Sequence, residues 1–321
     1  MKLAQISDTH IRNLKYHDQY ETVFQELYEV LKKEEVDYII HCGDIAHSKT
    51  QLSPEFVKVC GDFLSSLASI APTYIILGNH DGNLRNSSRE DAISPIVKAL
   101  NLSNLHILRD SCEVGISNNI VLNCLSIFDK DNWIEPTDPS KINIALYHGS
   151  VGGCKTDVGY EIHGYDLDIS HFNKFDFAFL GDIHRTNQIL DLKGRIRYPG
   201  STIQQNFGET NDKGFLLWDI EDKENFTTKH IKLSNPNPFV TITLAEDGKV
   251  PSADIKPQSR VRIVSTHNIS SDLVKKSIDI ITIKDKLENE KVIKDIGGIN
   301  YLIELSKNIP SSANIITYAE I

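Results

Sequence analysis

At 321 residues with 40% hydrophobic content, the chain is long enough for one large domain plus a smaller one and apolar enough to build a core. A net charge of −10 argues against a protein that grips nucleic acid by its own charge, which takes clustered Lys and Arg. The longest apolar stretches, such as residues 70–77, are too short and Pro-broken to cross a bilayer, and the start at Met1 and Lys2 reads as strand rather than signal peptide.

In chain order, the first apolar run, Leu3 to Ile6, ends at Asp8 and His10 in ISDTH. Tyr20, Val23, Phe24, Leu27, Val30 and Leu31 then repeat at helical spacing. A second run, Tyr38 to Cys42, ends at Asp44 in CGDIAH. A helix is expected from Pro54 to Ser69, with Ser53 as its cap and Pro54 in its first turn. Thr73 to Leu77 leads to Asn79 and His80 in GNHD, and a short helix follows around Ile93 to Leu100. From about 105 to 230 the chain turns strand-rich. The main runs are Ile120–Ile127, Asn143–Tyr147, Phe175–Leu180, Arg195–Tyr198, Gly214–Ile220 and Thr227–Lys232. His148 follows one of these in YHGS, and Asp182 and His184 follow another in GDIH.

This order predicts an α/β fold of two packed, mainly mixed sheets flanked by helices. Ser234 to Pro238 is rich in Asn and Pro and marks a boundary between a domain at 1–233 and a small α+β domain at 239–321. The latter shows strand-like runs at Phe239–Leu244 and Val261–Ser265, then a helix from Asp272 and a charged stretch to about Lys294. Five cysteines with no repeated C-x-x-C spacing read as reduced, mostly buried thiols, as expected in cytoplasm.

Five apolar runs thus end at Asp, Asn or His. Any one of these pairs alone reads as a solvated turn. Together they suit a pair of divalent ions about 3.5–4 Å apart, which shares one carboxylate and draws N and O ligands from several segments. Strand ends of an open α/β sheet face a common crevice, so residues distant in sequence can meet there.

These segments resemble the calcineurin-like metallophosphoesterases over roughly the first two thirds of the chain. GDIAHSK, with His47 three residues after Asp44, and YPGSTIQQNFGETNDKGFLLWDI at 198–220 resemble more narrowly the SbcD-type repair and recombination nucleases, including phage counterparts. The resemblance implies one metal held by Asp8, His10, Asp44 and His184, and another by Asp44, Asn79, His148 and position 182, with Asp44 as bridge. It implies Mn²⁺ most readily, or Mg²⁺, and a metal-dependent DNA exo- or endonuclease. His80 becomes a general acid or transition-state donor, oriented by Asp81 or His47.

One departure stands out: Gly-His-x-His is expected where the chain has Gly181-Asp182-Ile183-His184. Asp182 is read as a direct ligand; the alternative is that it hydrogen-bonds a histidine ligand. Arg12, Lys15, His17, Lys49, Arg85 and Arg89 are candidate DNA contacts or, equally, solvated loop charges. By the same resemblance residues 239–321 form a cap that narrows DNA access. The resemblance implies DNA and an SMC-like ATPase of the SbcC type as partners, with a second copy of the chain as a further candidate, in a bacterial or phage-infected cell and without a membrane. A generic phosphatase or cyclic-nucleotide phosphodiesterase would use the same metals without the closing segment or the cap.

Overall fold

The computed structural model describes residues 1–163, 167–243, 258–264 and 314–315. The chain divides into two units, Met1–Ser234 and Asn235–Ile321.

The first unit opens with three β-α-β passes: β1 (Lys2–Ile6), α1 (His17–Lys33), β2 (Tyr38–Cys42), α2 (Pro54–Ile70), β3 (Thr73–Ile76), α3 (Ser94–Leu100) and β4 (Leu105–Leu108). β1 to β4 run parallel, as helical crossovers dictate. Eight further strands follow: β5 (Cys112–Gly115), β6 (Ile120–Cys124), β7 (Ile142–His148), β8 (Phe177–Gly181), β9 (Gln188–Ile189), β10 (Ile196–Tyr198), β11 (Gly214–Ile220) and β12 (Phe226–Lys232). One six-stranded sheet has the order β12-β11-β1-β2-β3-β4, the other β5-β6-β7-β8-β10-β9. Both mix parallel and antiparallel pairs, so the α/β fold of two packed mixed sheets read from the sequence is the fold observed.

Strand alternation assigns the core. Leu3, Ile40, Tyr74 and Ile76 of the first sheet meet Leu122, Ile144, Leu146, Phe177 and Phe179 of the second, with Trp218 stacked on Phe179 at 4.7 Å between ring centroids. On the outer face Ala4, Ile6, Ile39 and Ile75 lie under the apolar stripe of α1 and α2, where Phe24 meets Phe63 at 4.3 Å. Ser53 caps α2 by accepting the Phe56 N–H at 3.1 Å. Fully buried Gln5 ties the layers: its amide donates to the carbonyls of Leu180 and Arg197, and its oxygen accepts from the Trp218 indole.

The second unit contributes β13 (Phe239–Thr243), β14 (Arg260–Val264) and β15 (Asn314–Ile315), all parallel. The helix expected from Asp272 lies outside the described residues.

Candidate metal centre

β1, β2, β3, β7 and β8 all lead out at the same edge, and the residues just beyond them converge. The loops after β1 and β2 zip together: the Asp8 N–H donates to the Gly43 carbonyl at 3.0 Å and the His10 N–H to the Asp44 carbonyl at 3.0 Å. Asp8, His10, Asp44 and Asp182 all have left-handed backbones, with φ of 52°, 49°, 56° and 93°. This turns each side chain back over its strand end. Gly43, at φ +93°, lies so close to His148 that a Cβ there would sit 2.5 Å from Nδ1.

Asp44 occupies the middle. Its Oδ2 lies 3.6 Å from His10 Nε2 and 3.4 Å from His148 Nε2. On one side His184 Nε2 stands 3.0 Å from His10 Nε2 and 3.7 Å from Asp8 Oδ1. On the other, His148 Nε2 stands 3.1 Å from Asn79 Oδ1 and 3.9 Å from Asp182 Oδ1. The seven expected ligands are therefore brought together, with Asp44 facing a histidine on each side.

Hydrogen bonds fix the tautomers of two histidines. His148 donates Nδ1–H to the Cys42 carbonyl at 2.7 Å, and His184 donates Nδ1–H to Glu209 Oε1 at 2.7 Å. Each leaves Nε2 toward the carboxylates, the arrangement a metal-bound imidazole needs. Burial pushes His148 down, but Asp44 and Asp8 outweigh it and hold the group well above its ordinary value. Burial likewise lowers His184, yet the Glu209 hydrogen bond and Asp8 raise it to about 9. Burial drives His10 well below its ordinary value, and its Nε2 faces His184 Nε2 at 3.0 Å. Burial raises Asp8 to about 6, whereas Asp44, also buried, is lowered because His148 and His10 outweigh that cost. Imidazole nitrogens ringed by carboxylate and carboxamide oxygens are a donor set that fits hard divalent cations.

His80 sits beside this cluster, its ring 4.8 Å from that of His10. Its backbone N–H donates to Asp44 Oδ1 at 2.8 Å and its Nδ1–H to the His47 carbonyl at 2.8 Å. The two expected orienting residues thus divide. His47 orients His80 through its backbone, and its own imidazole accepts from Arg12 Nη1 at 2.9 Å, lowered to about 4 by burial and that guanidinium. Asp81, buried, instead accepts the backbone N–H groups of Asp44, Ala46 and Gly78 at 2.8 to 2.9 Å. A carboxylate saturated by three amides braces the Asp44 loop rather than the His80 ring.

Of the candidate DNA contacts, Arg12 lies against His47, and Lys49 donates to the Asn79 carbonyl at 2.9 Å. His17 bonds the Arg12 carbonyl at the start of α1. Lys15, Arg85 and Arg89 are exposed, and no described side-chain contact brings them to the centre. Residue type alone gave no hint of Ser150, which donates to Asp182 Oδ2 at 2.7 Å, or of Glu209. The signal for Glu209 was its place in the closing segment. Among the described residues no helix is long and apolar enough to cross a membrane.

Comparison with known proteins agrees with this geometry. The chain is 37% identical over 276 residues to "Uncharacterized protein R555" of Acanthamoeba polyphaga mimivirus, a match covering 81% of this chain and 20% of that protein. It therefore spans about a fifth of that relative's length. It is 26% identical over 300 residues to "Putative phosphoesterase 244L" of Invertebrate iridescent virus 6, covering 84% and 95% of the two chains. At the other end, residues 269–321 match the DnaB-like helicase N terminal domain. There 44 residues are 54% identical to the replicative DNA helicase DnaB of Buchnera aphidicola, covering 14% of this chain and 10% of that one. Residues 1–186, which carry every ligand described above, match the calcineurin-like phosphoesterase model, and the chain belongs to that family.

Proposed function

We propose that the chain is a two-metal phosphodiesterase acting on DNA. The observation that carries the two-metal part is Asp44, whose Oδ2 faces His10 and His148 from two distinct ligand groups. Asp8, His10, Asp44 and His184 on one side and Asp44, Asn79, His148 and Asp182 on the other would hold two divalent ions, Mn²⁺ in our reading or Mg²⁺, which would supply Lewis-acid charge and an activated water. The chain's own part falls to His80. With Nδ1–H committed to the His47 carbonyl, protonated His80 has Nε2–H left to give to the departing oxygen. Arg12 and Lys49, beside His47 and Asn79, are cations placed to meet a phosphate at the centre.

Two features support DNA as the substrate. One is the closing segment at 198–220, which ties into the centre through Glu209. The other is the helicase-like segment at 269–321, in the same chain as the phosphoesterase. Residues 239–321 would then serve as the cap, with an SMC-like ATPase, or a second copy of the chain, as partner. The helicase match favours a second reading of 269–321, as a module that docks on replication proteins. The five free cysteines suit work in a reducing cytoplasm. A generic phosphoesterase remains the alternative, which the net charge of −10 favours.

Purified protein incubated with Mn²⁺ and 3′-labelled duplex or hairpin DNA, beside p-nitrophenyl phosphate and its bis diester, separates the two. Cleavage of DNA is the expected result; turnover of the small esters with intact DNA would leave only the generic activity. His80→Ala should lose activity by about 10²-fold or more while keeping both metals. Loss of an ion on elemental analysis would make His80 structural.

A further inference from the structure

Glu209 is buried, its side chain only 4% exposed, and it lies outside every expected ligand set. Its carboxylate is fully engaged. Oε1 accepts His184 Nδ1–H at 2.7 Å and the Asn206 amide at 2.9 Å; Oε2 accepts the Gln205 N–H at 2.9 Å and the Ser201 hydroxyl at 3.3 Å. Four donors aimed at one carboxylate fix its position to within the play of a hydrogen bond. Behind it stands a buried cation. Lys213 Nζ donates to both oxygens of Asp157 at 3.0 Å and to the His184 carbonyl at 2.6 Å, and lies 3.8 Å from Glu209 Oε2. His184 is thereby held at two points, its ring by Glu209 and its backbone by Lys213.

The other side of the centre is built differently. His148 has a main-chain carbonyl, that of Cys42, behind its Nδ1. His10 Nδ1 is buried and has no hydrogen-bond partner among the described residues. Among the described residues, of the three Nδ1 atoms only that of His184 meets a side chain, and a charged one.

We infer that Glu209 is a positioning residue for His184. It selects the Nδ1–H tautomer, aims Nε2 at Asp8 and His10 and makes the imidazole a stronger donor, while the Lys213–Asp157 ion pair keeps the Glu209 segment in place. This accounts for the spacing of Ser201, Glu209 and Lys213 in the closing segment as support for one metal position. The inference rests on the reading that Asp8, His10, Asp44 and His184 hold an ion.

The test is calorimetric titration of the full chain with Mn²⁺ alone, for wild type, Glu209→Ala and Glu209→Gln, with thermal unfolding of each metal-free protein alongside. Wild type should take up two ions. Glu209→Ala should weaken one of the two by about 10- to 100-fold and leave the other unchanged. Glu209→Gln should fall between, because its carboxamide oxygen still accepts Nδ1–H but without charge. Wild-type affinity at both positions in Glu209→Ala would overturn the inference. So would equal weakening of both positions with a lowered melting temperature in both variants, since that is what a packing residue does. If wild type itself takes up no Mn²⁺, the reading of the centre has failed and not the role of Glu209 within it.

Discussion

Asp182 tests how far a single side chain sets the chemistry. Its Oδ2 is taken by Ser150 at 2.7 Å, while Oδ1 stays within 3.9 Å of His148 Nε2, so one oxygen is anchored and the other is left to bind an ion. With Asp8, Asp44 and Asp182 as ligands, three carboxylates face two divalent ions, where two are expected with histidine. The added charge makes the pair a weaker Lewis acid and raises the pKa of water bound to it. Asp182→His should therefore move the pH-rate profile to lower pH and increase retention of Zn²⁺. Asp182→Ala should empty mainly the position shared with Asn79 and His148. Two Mn²⁺ bound as tightly as in wild type would show that Asp182 only hydrogen-bonds a ligand. The seven converging residues were legible as candidates because each follows an apolar run, where strand geometry forces convergence. Asp81 was legible as important but not in its role, since nothing in GNHD shows that its carboxylate turns to three backbone amides.

The parallel strands are the elements that a sequence shows most plainly, because burial on both faces leaves runs such as Tyr38–Cys42 and Ile142–His148 almost wholly apolar. β4, β5 and β9 escaped notice for the opposite reason. β5 is only partly buried, β9 has two residues, and β4 carries His106, stacked on Tyr74 at 4.6 Å. The β5–β6 hairpin sets Cys112 directly opposite Cys124. The neighbouring Cys124 thiol outweighs burial and lowers Cys112 to about 7, while Cys42, Cys60, Cys124 and Cys154 are buried. Thiolate is the reactive form, so iodoacetamide should label Cys112 first, with a rate that rises through about pH 7. A midpoint near the ordinary thiol value of about 8.5 would mean that the two thiols do not interact.

For the molecule as a whole, the centre couples folding to pH and to metal. In the metal-free chain His184 is raised from 6.5 to about 9 by Glu209 and Asp8, which outweigh its burial. A raised histidine contributes stability that is complete below pH 6.5 and is lost as pH climbs through about 9. The melting temperature in EDTA should fall across that window. Mn²⁺ must displace the His184 proton, so the rise in melting temperature on adding metal should grow over the same range. A metal-free melting temperature that climbs from pH 6.5 to 9 would contradict this electrostatic account. The four left-handed backbones at Asp8, His10, Asp44 and Asp182 carry a consequence for engineering. Each non-glycine residue in that conformation costs about 1 kcal/mol or more. At Asp182, where φ is 93° and Ser150 is the side chain's hydrogen-bond partner among the described residues, glycine would fit with less strain than aspartate. A screen that rewards heat resistance in the absence of divalent cations should therefore drift toward Asp182→Gly, gaining robustness by discarding the catalyst.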